Sequence, residues 1–354
     1  QFEKVAYMKP VGQQYLMVDN KRVDKDAVLF QRVYELNDSF EDMSPVAVPR
    51  GFTRDYIETP KRKKYVNRVK NAHERLMTNN DFLLLEGTGH AGVGSVFDLS
   101  NAQVAQLVGS KVILVTLGGI GRAIDEIMLN KVVFDALGVE ILGVIINKVL
   151  PEKYDDISRI ITKGFALKDI KVLGTIPFVQ MLSHPIVETI FEKIDGELLS
   201  SRVGYSNRIK KFIIGDTVPH ELLTSLTPNS LLIVPANRES LIMTALCGSL
   251  LESDINYHVS GIVLTGGTMP HESVLTLIKR THIPLILVKE DSFTIAKKLN
   301  SMLLKIGVNE TDKILKIQEV CEKHVDMDYI CNNYRAHDEI KGYLFTIRRR
   351  PQTN

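Results

Sequence analysis

Glu86 stands at the end of an apolar run and directly ahead of a glycine-rich stretch, residues 87–94. A buried strand that opens into glycines lets backbone amides approach an anionic ligand. A carboxylate at the end of such a strand can hold the metal that accompanies the anion. The pattern is therefore typical of a phosphate and Mg²⁺ site. The same glycines can instead serve only to turn the chain between a strand and a helix.

Two further residues could contribute to this chemistry. Lys9 follows the apolar run 5–8 and precedes Pro10, which cannot continue a hydrogen-bond ladder, so the chain leaves the sheet there. A lysine at that exit can contact phosphate or neutralise a transferring phosphoryl group, although a lone strand-end lysine is more commonly solvated. Asp26 lies ahead of an apolar helical pattern, where a helix cap is the default interpretation. A hard cation would use this carboxylate together with Glu86.

Two more polar or glycine-containing turns follow predicted strands. Gly118 and Gly119 lie between a strand and a helix, where they can approach a nucleotide or simply pack the helix against the strand. Asn147 ends another strand, and its amide offers a donor and an acceptor to a base edge. Each feature is weak alone, but their joint order along one sheet favours a shared site.

The elements that position these residues are predicted from short apolar runs. Runs in the first half predict five strands, at 5–8, 82–86, 112–116, 141–146 and 172–176. Several are apolar on successive residues, and the later ones are separated by lengths that suit crossover helices, which indicates a parallel α/β sheet. Ligands bind at the carboxyl ends of such strands. Residues 14–80 are interpreted as an insertion over that edge, either a lid or a cover for apolar surface.

A break near residues 183–185 separates a second, smaller α/β domain. It is predicted to contain strands at 231–234, 261–264 and 285–288 and helices at 238–251 and 271–280. The predicted domains are therefore 1–183, 184–306 and a helical C-terminal tail, 307–354.

Composition limits the classes of protein. No apolar segment reaches the roughly 18 residues that a membrane span needs, and the N-terminus has no secretory signal pattern. Three cysteines suit neither a disulfide framework nor a metal cluster, so the cytoplasm or another reducing compartment, including an organelle interior, is expected. A net charge of +2 argues against nucleic-acid binding, and the basic runs 61–64 and 348–350 carry no interleaved aromatic residues.

From residue 5 to about 179 the chain resembles the dethiobiotin synthetase and cobyrinic acid a,c-diamide synthase group of P-loop proteins. The resemblance rests on five short motifs: Lys9-Pro10-Val11, Lys25-Asp26-Ala27, Glu86-Gly87-Thr88-Gly89, Asn147-Lys148 and Gly174-Thr175-Ile176-Pro177. It implies an ATP site in which Lys9 is catalytic and stabilises the carboxylate or phosphate chemistry. It also implies that Asp26 and Glu86 bind Mg²⁺, and that Asn147 contacts adenine. The nucleotide-contacting glycines would be Gly87, Gly89, Gly118 and Gly119.

Residues 188–302 resemble the DRTGG domain that accompanies this fold in the N-terminal region of some phosphate acetyltransferases. The residues that give this domain its name correspond here to Asn237-Arg238 and Thr265-Gly266-Gly267. The resemblance makes Arg238, Thr265, Gly266 and Gly267 the ligand candidates. Asparagine in place of aspartate at 237 removes a charge and puts an anion-sensitive or metal role there in doubt. Both halves together resemble the stand-alone dethiobiotin synthetase-like proteins of the phosphotransacetylase family. Homo-oligomerisation through the second domain is expected.

The sequence contains no G-x-x-x-x-G-K-[ST] phosphate loop. In the group that the chain resembles, this loop lies upstream of the Lys9 strand and follows a central strand. Binding of ATP and Mg²⁺, with ATP-dependent activation of a carboxylate, is therefore expected only if the loop precedes Gln1. The alternative is a non-catalytic regulatory or scaffold protein that works through oligomerisation or a protein partner. Acetyl transfer is not expected, because no phosphotransacetylase domain follows Gly307.

Overall fold

The computed structural model describes residues 2–250, 259–281, 283–302, 305–335 and 343–347, with the backbone alone at 248–250, 335 and 343–347. The chain forms two compact units. The first contains Gln1–Phe178 and Ile314–Asn354, and the second contains Val179–Lys313. This division differs from the predicted boundaries at 183 and 306, because the C-terminal tail belongs to the first unit. The end of the helix predicted at 238–251 and parts of the tail lie outside the described residues.

The first unit alternates strands and helices. Its elements before the second unit are, in chain order, β1 (Val5–Met8), β2 (Val11–Gly12), β3 (Tyr15–Val18), β4 (Lys21–Asp24), α1 (Lys25–Tyr34), α2 (Phe40–Met43), β5 (Val46–Ala47), α3 (Phe52–Glu58), α4 (Arg62–Asn79), β6 (Phe82–Glu86), α5 (Asn101–Val108), β7 (Lys111–Leu117), α6 (Gly121–Ala136), β8 (Ile141–Val149), α7 (Tyr154–Ala166) and β9 (Val172–Pro177).

The second unit and the returning tail complete the described elements. The second unit contains α8 (Val187–Phe191), β10 (Gly196–Leu198), β11 (Lys211–Ile214), α9 (Pro219–Ser225), β12 (Ser230–Pro235), α10 (Glu239–Leu250), β13 (Val259–Thr265), α11 (Glu272–Lys279), β14 (Leu285–Val288) and α12 (Ser292–Asn300). Three elements follow: α13 (Thr311–His324), α14 (Met327–Arg335) and β15 (Tyr343–Ile347).

The main sheet of the first unit is parallel throughout and has the order β1-β6-β15-β7-β8-β9. Each of the five strands predicted in the first half is present. Because their side chains alternate between faces, each strand packs on helices from both sides. One face packs against α4, α5, α6 and α7, and the other against α1 and α14. This arrangement confirms the predicted parallel α/β fold, and the segment 14–80 contributes cover to both faces.

The C-terminal tail is not helical throughout, and it completes the first unit in three places. Ile330 and Tyr334 of α14 are buried on one face of the sheet. The backbone of Val325 forms an antiparallel bridge with Gly174 on β9, the edge strand. β15 lies between β6 and β7 and is parallel to both. β15 has only five residues, too few to show a clear period of two, and the segment around it contains no other strand signal. The sequence therefore did not predict this strand.

Gly174 allows the tail to approach β9 closely, because a Cβ atom there would meet the carbonyl of His324 and would lie 2.9 Å from the Cα of Val325. Both contacts are with backbone, which cannot rotate away. We expect Gly174→Ala to lower the free energy of unfolding by about 1–3 kcal/mol, as overpacking does. Urea denaturation followed by far-UV circular dichroism measures this.

Gly121→Ala is the matched control, because a Cβ atom at Gly121 would meet nothing within 4 Å. Alanine also favours the helix that Gly121 begins, so this variant is expected to be at least as stable as the parent. Equal losses of stability in the two variants would contradict the close approach at Gly174.

The second unit contains a five-stranded sheet with the order β10-β14-β13-β12-β11, parallel except for β10. Its three predicted strands and both predicted helices are present. The buried carboxylate of Glu310 accepts from Lys313 at 2.7 Å and from Arg208 at 3.3 Å. These ion pairs connect Glu310 and Lys313, at the end of the second unit, to Arg208 in the segment before β11. Across the part of the chain that the structure describes, no helix is long and apolar enough to cross a membrane.

Candidate functional site

Lys9, Asp26 and Glu86 meet at the carboxyl edge of the main sheet. The Lys9 ammonium lies 3.0 Å from Asp26 Oδ2 and also donates to Glu86 Oε1. Lys9 is 3% exposed, so these contacts are shielded from solvent. The three residues come from the position directly after β1, the first turn of α1 and the last position of β6. The structure therefore brings together the three residues that the sequence singled out for catalysis and metal binding.

Strand periodicity explains why Lys9 and Glu86 converge. Tyr7 pairs with Leu84 in the parallel register of β1 and β6, and both face α1. Lys9 and Glu86 each follow two residues later, so they emerge on the same face and side by side. α1 packs on that face, which puts its first turn within reach of both.

Local capping places Asp26. The helix cap is Asp24 rather than Asp26, because the Asp24 carboxylate accepts from the Asp26 backbone N–H at 2.9 Å. Asp24 thus has the capping role that the sequence position of Asp26 suggested for Asp26. It lies in the first turn of α1, where the helix dipole favours a negative charge. Pro10 ends β1, and the Lys9 backbone N–H donates instead to the Met43 carbonyl at 2.7 Å.

Tyr7 is a member of the site that was not predicted from the sequence. Its hydroxyl donates to Glu86 Oε2 at 2.6 Å, and its ring stacks on Phe30 with centroids 4.0 Å apart. Burial and the negative charge of Glu86 hold the Tyr7 pKa well above its ordinary value, so the hydroxyl keeps its proton and remains a donor. Its position two residues before Lys9 on one strand was the available signal.

The site has an excess of negative charge. Burial alone would lower the pKa of the Lys9 ammonium, but Glu86 and Asp26 outweigh it and raise that pKa above its ordinary value of 10.5. Lys9 thus stays charged throughout the neutral range. Asp24 is a third carboxylate near this pair and is itself buried, and a Cβ atom at Gly12 would collide with it. One ammonium faces three carboxylates, so a further cation would be attracted.

The glycine-rich loop after Glu86 is fixed by its own hydrogen bonds. The backbone N–H of Thr88 donates to Asn101 Oδ1 at 3.1 Å, and that of Ala91 donates to Asn130 Oδ1 at 2.7 Å. Gly87 is buried, and Gly89 has a positive φ of 70°. Because several loop amides already have partners inside the protein, the loop is suited to positioning Glu86 more than to presenting a ring of amides to an anion.

Gly118 and Gly119 directly follow β7, and Asn147 lies near the end of the neighbouring strand β8, at the same edge of the sheet. A Cβ atom at Gly118 would lie 2.9 Å from the Cα of Val149, so close packing between neighbouring strands requires this glycine. Its N–H donates to the Asn147 carbonyl at 2.7 Å. Gly119 has open space around it and a φ of 145°. Asn147 is half-buried, and the β8–β9 register shifts just after Ile146.

The ligand candidates of the second unit are mostly engaged in a turn. Gly266 and Gly267 both have positive φ, and their amides donate at 2.9 Å to the carbonyls of Glu290 and Val288. The buried Thr265 hydroxyl lies 2.7 Å from the Ser292 hydroxyl. Arg238 is exposed at the start of α10, on the edge where β12 and β13 end. Of these four residues, Arg238 is the one whose side chain can reach a ligand.

The donors in the first unit suit Mg²⁺. This ion binds proteins through one or two carboxylates and keeps water or phosphate oxygens as its other ligands. Asp26 and Glu86 supply two carboxylates beside the same ammonium. No group of three or more histidine, cysteine, aspartate or glutamate side chains arranged to hold a metal occurs among the described residues. A metal site built from protein side chains alone is thus not found among the described residues.

Comparison with known proteins agrees with this architecture. A family model described as an AAA domain, AAA_26, matches residues 1–185, and a DRTGG domain model matches residues 189–302. The phosphate acetyltransferase of Nitratidesulfovibrio vulgaris is 23% identical over 91% of this chain and 46% of that protein. The phosphate acetyltransferase of Synechocystis is 22% identical over 98% of this chain and 48% of that protein. The chain spans about half the length of these curated relatives.

A shorter relative matches the first half alone. The ATP-dependent dethiobiotin synthetase of Methanococcus vannielii is 24% identical over 51% of this chain and 79% of that protein. The AAA domain model covers more than half of the chain and the DRTGG model follows it in the predicted order. The chain therefore belongs to the AAA_26 family of dethiobiotin synthetase-like P-loop domains, and it carries a DRTGG domain after that domain.

Proposed function

We propose that the protein binds ATP together with Mg²⁺ at the edge of the first sheet where Lys9, Asp26 and Glu86 meet. The observation that carries this proposal is the convergence of one ammonium and two carboxylates from three elements, with Lys9 nearly buried. Asp26 and Glu86 would hold the Mg²⁺, and Lys9 would contact a phosphate or carboxylate oxygen. A bound Mg²⁺ supplies charge neutralisation for phosphate oxygens.

Asn147, Gly118 and Gly119 are proposed to line the nucleotide side of the same site, and Gly87 and Gly89 to fix the loop that carries Glu86. The M. vannielii relative is named as an ATP-dependent synthetase, which supports a nucleotide ligand. ATP-dependent activation of a carboxylate is the reaction that we propose when a phosphate-binding loop completes the site. The cationic Lys9 would then stabilise charge that develops on the reacting oxygens.

Calorimetric titration of the full chain with ATP, with and without Mg²⁺, tests this proposal. We expect saturable heat that depends on Mg²⁺, and weakening of the Mg²⁺-dependent part by about tenfold or more in Asp26→Asn and Glu86→Gln, since each variant removes one charged ligand. Asp155→Asn is the matched control, because Asp155 is exposed in the first turn of α7. Unchanged heat and melting temperature at about millimolar ATP and Mg²⁺ would disprove the proposal.

The position of β15 favours a second candidate function. This strand takes the position between β6 and β7, and the sequence after it continues with Arg348, Arg349 and Arg350 rather than with glycines. A regulatory or scaffold protein, which uses the fold for self-association or partner binding, is compatible with this arrangement. Self-association of the purified chain in light scattering, together with no response to ATP, would favour this candidate over the first.

A further inference from the structure

A cleft of about 370 Å³ lies beside the β3–β4 hairpin, between the start of β4, α2 and α4. We propose that this basic cleft binds an organic phosphomonoester with an apolar body. Its charged lining consists of Lys21, Arg22, Arg68 and Glu41. Neither the proposed nucleotide site nor the family comparisons assign a role to these residues.

The charges of the basic cleft are unbalanced. Glu41 is its acidic lining residue and is paired with Lys21, the two charged groups being 2.6 Å apart. Arg22 lies over the ring of Tyr15 at 5.4 Å, a contact that leaves its positive charge unneutralised. Arg68 is exposed on α4, and its charge also acts on Glu41, whose pKa is lowered chiefly by Lys21 and to a smaller extent by Arg68. The three cations and one carboxylate give the charged lining a net charge of +2, which attracts an anion.

Two guanidinium groups match the charge of a phosphomonoester. A phosphomonoester carries between about 1.5 and 2 negative charges at neutral pH, and the planar fork of arginine binds phosphate oxygens through paired hydrogen bonds. A single carboxylate would neutralise only one of the two cations. The charge of the basic cleft therefore favours phosphate over a monocarboxylate.

The uncharged lining contains both apolar and polar residues. Met17, Val23 and Phe40 line the basic cleft, and Met17 is 62% exposed. An exposed methionine side chain is an adaptable surface for an apolar group. The ligand is thus expected to have an anionic end that meets the arginines and an apolar body that covers Met17 and Phe40.

The basic cleft is distinct from the acidic site but is connected to it. Ser44 lines the cleft, and its hydroxyl accepts the backbone N–H of Asp24 at 3.0 Å. Asp24 in turn caps the helix that carries Asp26. The two sites have opposite charge, so an anion that the three carboxylates would repel can be held at the cleft.

Phenyl phosphate is a suitable probe, because it joins a phosphomonoester to an aromatic ring. We expect the full chain to bind it saturably below about 10 mM, and the double variant Arg22→Met/Arg68→Met to bind at least about tenfold more weakly. Binding is measured by calorimetry at fixed ionic strength. Arg54→Met is the matched control, since Arg54 is an exposed helical arginine outside the cleft, and it should bind as the parent does.

Three results with the parent protein, the arginine control and inorganic phosphate would overturn the proposal. These are no saturable binding by the parent protein, equal weakening in Arg54→Met, and binding of inorganic phosphate as tight as that of phenyl phosphate. The last result would show that the apolar lining takes no part. Asp26→Asn should leave phenyl phosphate binding unchanged, which separates failure of the nucleotide site from failure of the cleft. Loss of binding in that variant would also overturn the assignment to the cleft.

Discussion

Replacing Lys9 with methionine is expected to lower the free energy of unfolding by about 3–5 kcal/mol, the usual cost of removing one partner from a buried ion pair. Methionine retains most of the length of the side chain but leaves Asp24, Asp26 and Glu86 without the ammonium between them. The chain has no tryptophan, so far-UV circular dichroism in increasing urea is the appropriate measurement.

The same variant should gain stability from Mg²⁺. If Asp26 and Glu86 are metal ligands, a divalent cation can compensate the carboxylates that Lys9 no longer neutralises, and binding to the folded state alone raises its stability. We therefore expect Mg²⁺ at about millimolar concentration to raise the melting temperature of Lys9→Met more than that of the parent. Sodium chloride at the same ionic strength is the salt control.

Lys64→Met is the control for the loss of a lysine, since Lys64 is exposed on α4. Its stability should stay within about 0.5 kcal/mol of the parent, as for most surface substitutions. A Lys9→Met variant as stable as Lys64→Met would contradict the buried ion pairs. A destabilised Lys9→Met variant that Mg²⁺ does not stabilise would instead contradict the metal role of Asp26 and Glu86.

Phe345→Pro is expected to destabilise the first unit by on the order of 3 kcal/mol, comparable with a proline in a helix interior. Phe345 pairs with Glu86 on one side and Ile113 on the other, and proline removes a ladder donor from a strand that has neighbours on both sides. The β6 and β7 edges would then be less completely paired. Urea denaturation and the onset of aggregation on heating measure this effect.

Phe345→Ile separates the backbone effect from the side-chain change, because isoleucine keeps the backbone donor and favours strands. We expect this variant to be at least about 2 kcal/mol more stable than Phe345→Pro. Equal stability of the two variants would be inconsistent with a strand at the centre of the sheet.

The parallel sheet and the Lys9–Glu86 pair could be predicted because both depend on local patterns. Successive apolar residues mark the strands, and a period of two places Lys9 and Glu86 on the face of Tyr7 and Leu84. The same period would have identified Tyr7 as a contact of Glu86. The contact of Asp26 with Lys9 depends on a different feature, the cap at Asp24, whereas the sequence predicted Asp26 itself as the cap.

The position of the tail could not be predicted, because it depends on contacts between residues far apart in sequence. The close approach at Gly174 requires the backbone of Val325, and no property of the glycine itself identifies that partner. The hydrogen bonds from the loop amides to Asn101 and Asn130 also depend on contacts between residues far apart in sequence. The glycine spacing alone was compatible with either an anion-binding loop or a turn.

The position of β15 has a consequence for the order in which the protein folds during synthesis. The ribosome makes β6 and β7 before the whole second unit and makes β15 after it, although β15 pairs with both earlier strands. The second unit is continuous in sequence and can fold as soon as it emerges. The central pairing of the first unit must wait, and its loop closure is long and therefore slow. The strands translated first thus belong to the unit that is completed last.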